Sequence, residues 1–231
     1  MKNNLHISTV NANGLQQPEK ISKIVSWSNQ QKNDILFIQE THFTNKMKFT
    51  LEKEFGENLF RSDGTSNSRG VAIWIKDKTR FKYIDEHKDL EGRVIMINIE
   101  IDENIYTLVN IYAPNRLRER NSFFKTIKVF INKYGLGQVI LGGDFNDIWS
   151  LLDTKNKTKS SKKFDKPVTS LKGLIKSCKL IDIWRNKNKN TRQFTWCRKD
   201  RTEATRIDYF LFLKKYKNTA KVVILDLLSK N

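Results

Sequence analysis

Apolar residues along this chain fall in short runs separated by polar or glycine-containing links. That is the pattern of buried strands joined by turns. Residues 5–10 predict a first strand, which runs into Asn11-Ala12-Asn13-Gly14-Leu15. Ile35-Leu36-Phe37-Ile38 centres a second strand over 34–39, ending in Glu40-Thr41-His42. Short or apolar stretches at 59–61 and 70–75, and a weaker one at 81–85, continue the series. Residues 93–101 alternate, with Val94, Met96, Asn98 and Glu100 on one face and Ile95, Ile97, Ile99 and Ile101 on the other. Asp102-Glu103-Asn104 links this strand to Ile105–Tyr112, which predicts a hairpin. Val139-Ile140-Leu141 then ends abruptly at Gly142-Gly143-Asp144-Phe145-Asn146. Residues 180–184 lead to a short strand at 194–196, and the last two strands are expected at 206–213 and 220–226.

Helical spacing replaces alternation in four places. Ile21, Ile24, Val25 and Ser28 follow Pro18, a favoured first helical residue. Residues 46–55 predict a second helix. Phe123, Phe124, Ile127, Phe130, Ile131 and Tyr134 share one face of a helix over 118–134. Leu171, Leu174, Ile175 and Cys178 share another behind Pro167, which makes Cys178 a core residue. Strands and helices are interspersed, yet many strands are joined by hairpins. The class is therefore mixed α/β with antiparallel sheets rather than a doubly wound parallel fold. The 231 residues suffice for one sizeable core, so a single domain over 1–231 is expected.

Charge narrows the partners. Lys plus Arg outnumber Asp plus Glu 43 to 25, a net +18, and such an excess attracts a polyanion, most commonly nucleic acid. The plainer reading is an AT-rich coding sequence, and composition does not separate the two. The run Arg116-Leu117-Arg118-Glu119-Arg120 is expected to be exposed, and the Lys157–Lys163 loop to be solvated and open to phosphates. Cys178 and Cys197 form no C-x-x-C pair, which fits a reducing compartment. Met1-Lys2-Asn3-Asn4 opens no apolar signal segment, and no apolar run approaches the roughly 20 residues of a membrane helix. The expectation is an intracellular protein, nuclear or cytoplasmic, with no membrane partner.

Polar residues gather where the apolar strands finish. Asn11 and Asn13 flank the end of the first strand, Glu40 ends the second, and Tyr112 ends the hairpin strand just before Asn115. Asp144 and Asn146 stand at i and i+2 after two glycines, and Asp208 sits in an otherwise apolar strand. On an extended backbone i and i+2 share a face, so Asp144 and Asn146 should project together. Each has an ordinary explanation: a turn at Asn13-Gly14, a cap at Glu40 or Asp144, a buried hydroxyl at Tyr112, an ion pair of Asp208 with Arg206 or another basic residue. Together they are less ordinary, because open sheets tend to place their sites at strand ends.

In order and spacing, Asn11-Ala12-Asn13-Gly14-Leu15, Gln39-Glu40-Thr41-His42, Asn110-Ile111-Tyr112-Ala113-Pro114-Asn115, Gly143-Asp144-Phe145-Asn146 and Arg206-Ile207-Asp208 resemble the exonuclease–endonuclease–phosphatase superfamily. The likeness is greatest to the apurinic-like endonuclease domain of non-LTR retrotransposons, through Gln-Glu-Thr-His and Asn-Ile-Tyr-Ala-Pro-Asn, and it spans about residues 5–226. It implies a four-layered α/β/β/α sandwich of two mixed sheets flanked by helices. It also implies a metal-dependent phosphodiesterase site. Glu40 matches the main metal ligand, with Asn11 and Asn13 flanking it. The ion implied is Mg²⁺, with Mn²⁺ as its substitute, since a carboxylate with amides suits a hard cation. Asp144 matches the residue that orients or deprotonates water, Asn146 its phosphate-holding amide partner, and Tyr112 the tyrosine near the scissile phosphate. Asn115 matches a phosphate-contacting amide, with Arg116 and Arg118 beside it.

One departure stands out. The resemblance pairs Asp208 with a histidine in a Ser-Asp-His motif before a final strand, but the only histidines are His6, His42 and His87. The reading therefore expects a sandwich lacking its last strand, cut short at the C-terminus, and weak or absent nuclease activity. The function it implies is an endonuclease that nicks double-stranded DNA to leave a 3′-hydroxyl for target-primed reverse transcription, with a reverse-transcriptase domain in cis. The alternatives are an abasic-site or exonuclease III-like repair nuclease and a catalytically inactive nucleic-acid-binding remnant. A small-molecule phosphatase or sphingomyelinase-like esterase is disfavoured by the basic charge and Tyr-Ala-Pro-Asn.

Overall fold

A computed structural model describes residues 5–155 and 168–214. The expected strand at 220–226 and the basic loop at 157–163 lie outside the described residues. Two sheets carry the fold. The smaller has the order β1 (Ile7–Asn11), β2 (Ile35–Gln39), β4 (Val71–Ile75), β3 (Leu59–Ser62). The larger runs β5 (Lys82–Lys88), β6 (Val94–Ile101), β7 (Asn104–Tyr112), β8 (Gln138–Asp144), β12 (Asp208–Leu213), β9 (Leu180–Asp182). A short pair, β10 (Trp196–Cys197) and β11 (Ala204–Thr205), stands apart. The β1–β2 and β7–β8 pairs are parallel and the others antiparallel, so both large sheets are mixed, as expected.

Alternation in β2 explains the layers. Leu36 and Ile38 face one way and pack with Ile21 and Ile24 of α1 (Pro18–Gln30) and Leu51 and Phe55 of α2 (Lys48–Phe55). Ile35 and Phe37 face the other way, into the core shared with the larger sheet, where Phe37 meets Phe210 edge-on at 5.3 Å. Beyond that sheet, α3 (Leu117–Tyr134) and α4 (Thr169–Ser177) close the sandwich through Phe124, Ile127, Ile131, Leu171 and Leu174. Every residue of β2 and β4 is buried, which accounts for their unbroken apolar runs.

Three details differ from the sequence expectation. The β6–β7 hairpin turns on two residues, Asp102 and Glu103, because Asn104 pairs with Ile101. Their φ angles of 47° and 62° give the twist that closes a two-residue hairpin. The strand expected from 206 starts at Asp208, since Arg206 is drawn into an ion network with Asp153 and Asp182. The short strand expected at 194–196 lies instead at Trp196–Cys197.

Candidate active site

Both sheets end at one rim. Asn11 pairs with Gln39, which places Glu40 immediately past the β1–β2 ladder. On the larger sheet Asp144 is flanked by Tyr112 on one side and Asp208 on the other. Asn11 joins the two sheets: its Nδ2 donates to Glu40 Oε1 at 2.8 Å and to Asp144 Oδ2 at 3.1 Å. The Tyr112 hydroxyl lies near enough to Glu40 and Asp144 to feel both charges. Asp144, 3% exposed, also accepts the backbone N–H of Asn146 at 2.8 Å through Oδ1.

The backbone is bent to make this possible. Asn13, Glu40, His42 and Asn146 all have φ between 46° and 55°, a region that residues other than glycine seldom adopt and that gathers at functional sites. Backbone bonds hold the Glu40–His42 bend from two sides: Gly14 N to Glu40 O (2.7 Å), Thr41 N to Gly70 O and His42 N to Arg69 O (both 3.0 Å). Gly143 has φ of 126°, and a Cβ there would lie 2.2 Å from Ile111 O, so only glycine lets β8 run against β7 at this point.

Beneath the rim a buried polar chain crosses between the sheets. Gln39 Nε2 donates to Thr9 Oγ1 (2.9 Å) and Asn110 Oδ1 (2.6 Å). Asn110 Nδ2 in turn donates to Ile38 O (2.9 Å) and Ala72 O (2.7 Å). These bonds are satisfied only when the two strand ends are in register.

Arg120 corrects the sequence reading. It was expected on an exposed basic run, but it is 1% exposed. Its guanidinium donates to the carbonyl oxygens of Asn146 and Asn115, tying the first turn of α3 to the loops after β7 and β8. The signal was present: Arg120 is in phase with Phe124, Ile127 and Ile131, the buried stripe of α3. Burial lowers its pKa, countered by the Asp147 carboxylate.

The remaining expected residues are spread unevenly. Asn146 is buried, and its Nδ2 donates to Ala113 O at 2.8 Å; an amide nitrogen has a second proton to offer. Asn13 is exposed and serves the turn, its backbone N–H donating to Asn11 Oδ1 and its carbonyl accepting from Lys20. Asn115, Arg116 and Arg118 are exposed around the start of α3, with Arg116 paired to Glu119. Arg206, considered from sequence as a partner of Asp208, binds Asp153 and Asp182.

Two carboxylates offer oxygen ligands here, with the donating amide of Asn11 between them. Among the described residues no three His, Cys, Asp or Glu side chains gather into a cage. Carboxylate oxygens such as those of Glu40 and Asp144 suit a hard divalent cation held by one or two carboxylates and otherwise hydrated. Burial and the Glu40 and Asp144 charges push the Tyr112 hydroxyl well above the usual tyrosine range. Tyr112 is thus a proton donor at neutral pH, not a base. Burial lowers the pKa of His42, against the opposing pull of Glu40.

This geometry has relatives. A transposon TX1 uncharacterized 149 kDa protein of Xenopus laevis is 30% identical over 195 residues, 84% of this chain but 15% of that protein. The chain thus spans a small part of that relative. An AP endonuclease of Archaeoglobus fulgidus shares the fold at a TM-score of 0.70 and 20% identity, over 91% of this chain and 87% of that one. The 3′ phosphatase NExo from Neisseria, solved with a product DNA hairpin, does so at 0.68 and 16%, over 91% and 87%. Residues 8–213 match the sequence model of one family across both sheets and every strand end of the rim, so the chain belongs to the Endonuclease/Exonuclease/phosphatase family.

Proposed function

We propose that the chain is a divalent-metal-dependent endonuclease that hydrolyses a phosphodiester of double-stranded DNA. The observation that carries this reading is the Asn11 amide bridging Glu40 and Asp144 across the two sheets. A neutral donor occupies the gap between two carboxylates, where a cation would be favoured. Glu40 and Asn11 would hold Mg²⁺, or Mn²⁺ in its place, with Asn13 beside them. Bound there, the ion would neutralise charge on the phosphate oxygens.

The chain's own residues supply the rest. Asp144 takes the proton of the attacking water, its carboxylate oriented by Asn11 and the Asn146 N–H. Tyr112 donates a hydrogen bond to charge building on an oxygen of the phosphate. Asn146 has an N–H beyond the one spent on Ala113, and with Asn115 it would grip a non-bridging oxygen. Asp208 completes the carboxylate row on the other side of Asp144. Arg116 and Arg118, exposed beside the rim, would meet the DNA backbone, and the net +18 agrees with a polyanionic substrate. The transposon relative, a far longer protein, supports placing this nuclease in a larger element protein; a reverse-transcriptase domain in cis would extend the 3′-hydroxyl that the nick leaves.

Nicking of supercoiled plasmid tests the proposal. Mg²⁺-dependent relaxation, lost in EDTA and in Glu40→Ala and Asp144→Ala, is expected, with ends that a polymerase extends. Stronger cutting of abasic than of intact AT-rich duplex would replace this reading with a repair nuclease. Salt-sensitive duplex binding with no metal-dependent cutting would replace it with a binding remnant.

A further inference from the structure

Beside the Glu40–Asp144 bridge lies a buried polar atom with no hydrogen-bond partner among the described residues, His42 Nε2. Chemistry fixes the other ring nitrogen. Gln16 Nε2 bonds the carbonyl oxygen of Ser66. A carbonyl accepts only a donor, so this end of the Gln16 amide is its nitrogen. The same nitrogen lies 3.3 Å from His42 Nδ1. A donor facing Nδ1 requires a lone pair there, which leaves the proton of the neutral ring on Nε2. Nε2 stands 4.0 Å from Glu40 Oε2. The other Glu40 oxygen, Oε1, is already held by Asn11. The ring is closely housed: a Cβ on Gly14 would lie 2.9 Å from His42 Nδ1 and 2.8 Å from Gln16 Oε1.

We propose that His42 is a positioning residue for Glu40. Gln16 selects the Nε2–H tautomer, and that N–H steers the Glu40 oxygen that Asn11 leaves, so the carboxylate is gripped from both sides and presented to a divalent cation. At 4.0 Å the contact is longer than a hydrogen bond, and a small side-chain rotation closes it. The inference rests on the metal-dependent reading above. Partners that orient a metal ligand in this way are worth about 10–100-fold in metal affinity. Through Ser66 the same chain ties Glu40 to the loop between β3 and β4.

Two readouts other than activity test it. In the first, Mn²⁺ is titrated against the whole chain and thermal unfolding is followed. His42→Ala and Gln16→Ala should each raise the Mn²⁺ concentration giving half the full stabilisation, by about 10-fold or more for His42→Ala. Gln16 is exposed, so its variant keeps the test alive if His42→Ala does not fold. In the second, ¹⁵N spectra of the imidazoles should show His42 as Nε2–H in the parent and a tautomer mixture in Gln16→Ala. An unchanged Mn²⁺ midpoint in the variants, or an Nδ1–H ring in the parent, overturns the assignment while leaving the metal reading intact. A parent chain that Mn²⁺ does not stabilise at all overturns both.

Discussion

Two pairs of carboxylates are set into this protein by opposite means. At the rim, Glu40 and Asp144 are joined by the neutral amide of Asn11. Behind β12, Asp153 and Asp182 are joined by the charged guanidinium of Arg206, which donates to Asp153 at 2.8 Å and also bonds Asp182. Arg185 adds a second cation on Asp153, and both guanidiniums lie over the Trp184 ring. Arg206, Asp153 and Asp182 are 1%, 0% and 3% exposed. Burial pushes the Asp182 carboxyl above its ordinary range, and the Arg206 guanidinium beside it pulls the other way. The lesson is that charge is neutralised internally where it ties β9, β12 and the turn at 151–153 together. At the rim it is left to a neutral amide.

That contrast can be broken from either side. The largest effect is expected from Arg206→Met, which strands buried carboxylates and should cost about 3–5 kcal/mol of stability, read from urea unfolding. A loss below 1 kcal/mol would mean the network contributes little. Next, Glu40→Ala and Asp144→Ala should reduce Mg²⁺-dependent nicking by about 10²–10³-fold while leaving the unfolding midpoint near that of the parent. A large stability loss there would erase the difference between the two pairs.

A third variant falls between them. Arg120→Met frees the carbonyls of Asn146 and Asn115 and should lower the nicking rate constant by about 10²-fold through misplacement of the loop, with substrate half-saturation changed little. The reverse pattern would make Arg120 a binding residue.

The smallest effect concerns Lys76, a buried cation that also relies on an amide, Asn29 Oδ1 at 2.6 Å, while lying 3.5 Å over Trp74. Burial, and then the charge of Lys78, lower its pKa from 10.5 to about 8. The unfolded chain therefore binds this proton more tightly between those values. The native state should gain stability as pH rises through that window and lose it as pH falls back to about 8. Lys76→Met should flatten this slope in urea midpoints taken across the range. An unchanged slope would show that the amide suffices to keep the charge.

Much of the site was legible because its residues sit at strand ends, and strand ends are visible in a hydrophobic pattern. Asn11, Glu40, Tyr112 and Asp144 all stand at such ends. Arg120 was missed because a basic run suggests solvent, although its helical phase with Phe124 and Ile127 placed it inside. Gln39 and Asn110 were passed over as motif neighbours, yet they are the buried bolts between the sheets. The Arg206 bonds to Asp153 and Asp182 are not legible in the sequence, because those partners are 53 and 24 residues away.

The sequence by itself determined the alternating strands, the amphipathic helices and the chemical types at each strand end, since these follow from local periodicity and side-chain chemistry. Only the tertiary structure decided which carboxylate faces which donor. Asn11 and Asp144 are 133 residues apart, and no local rule brings them to 3.1 Å. The packing of two sheets does, because their shared apolar core fixes the register in which the strands end.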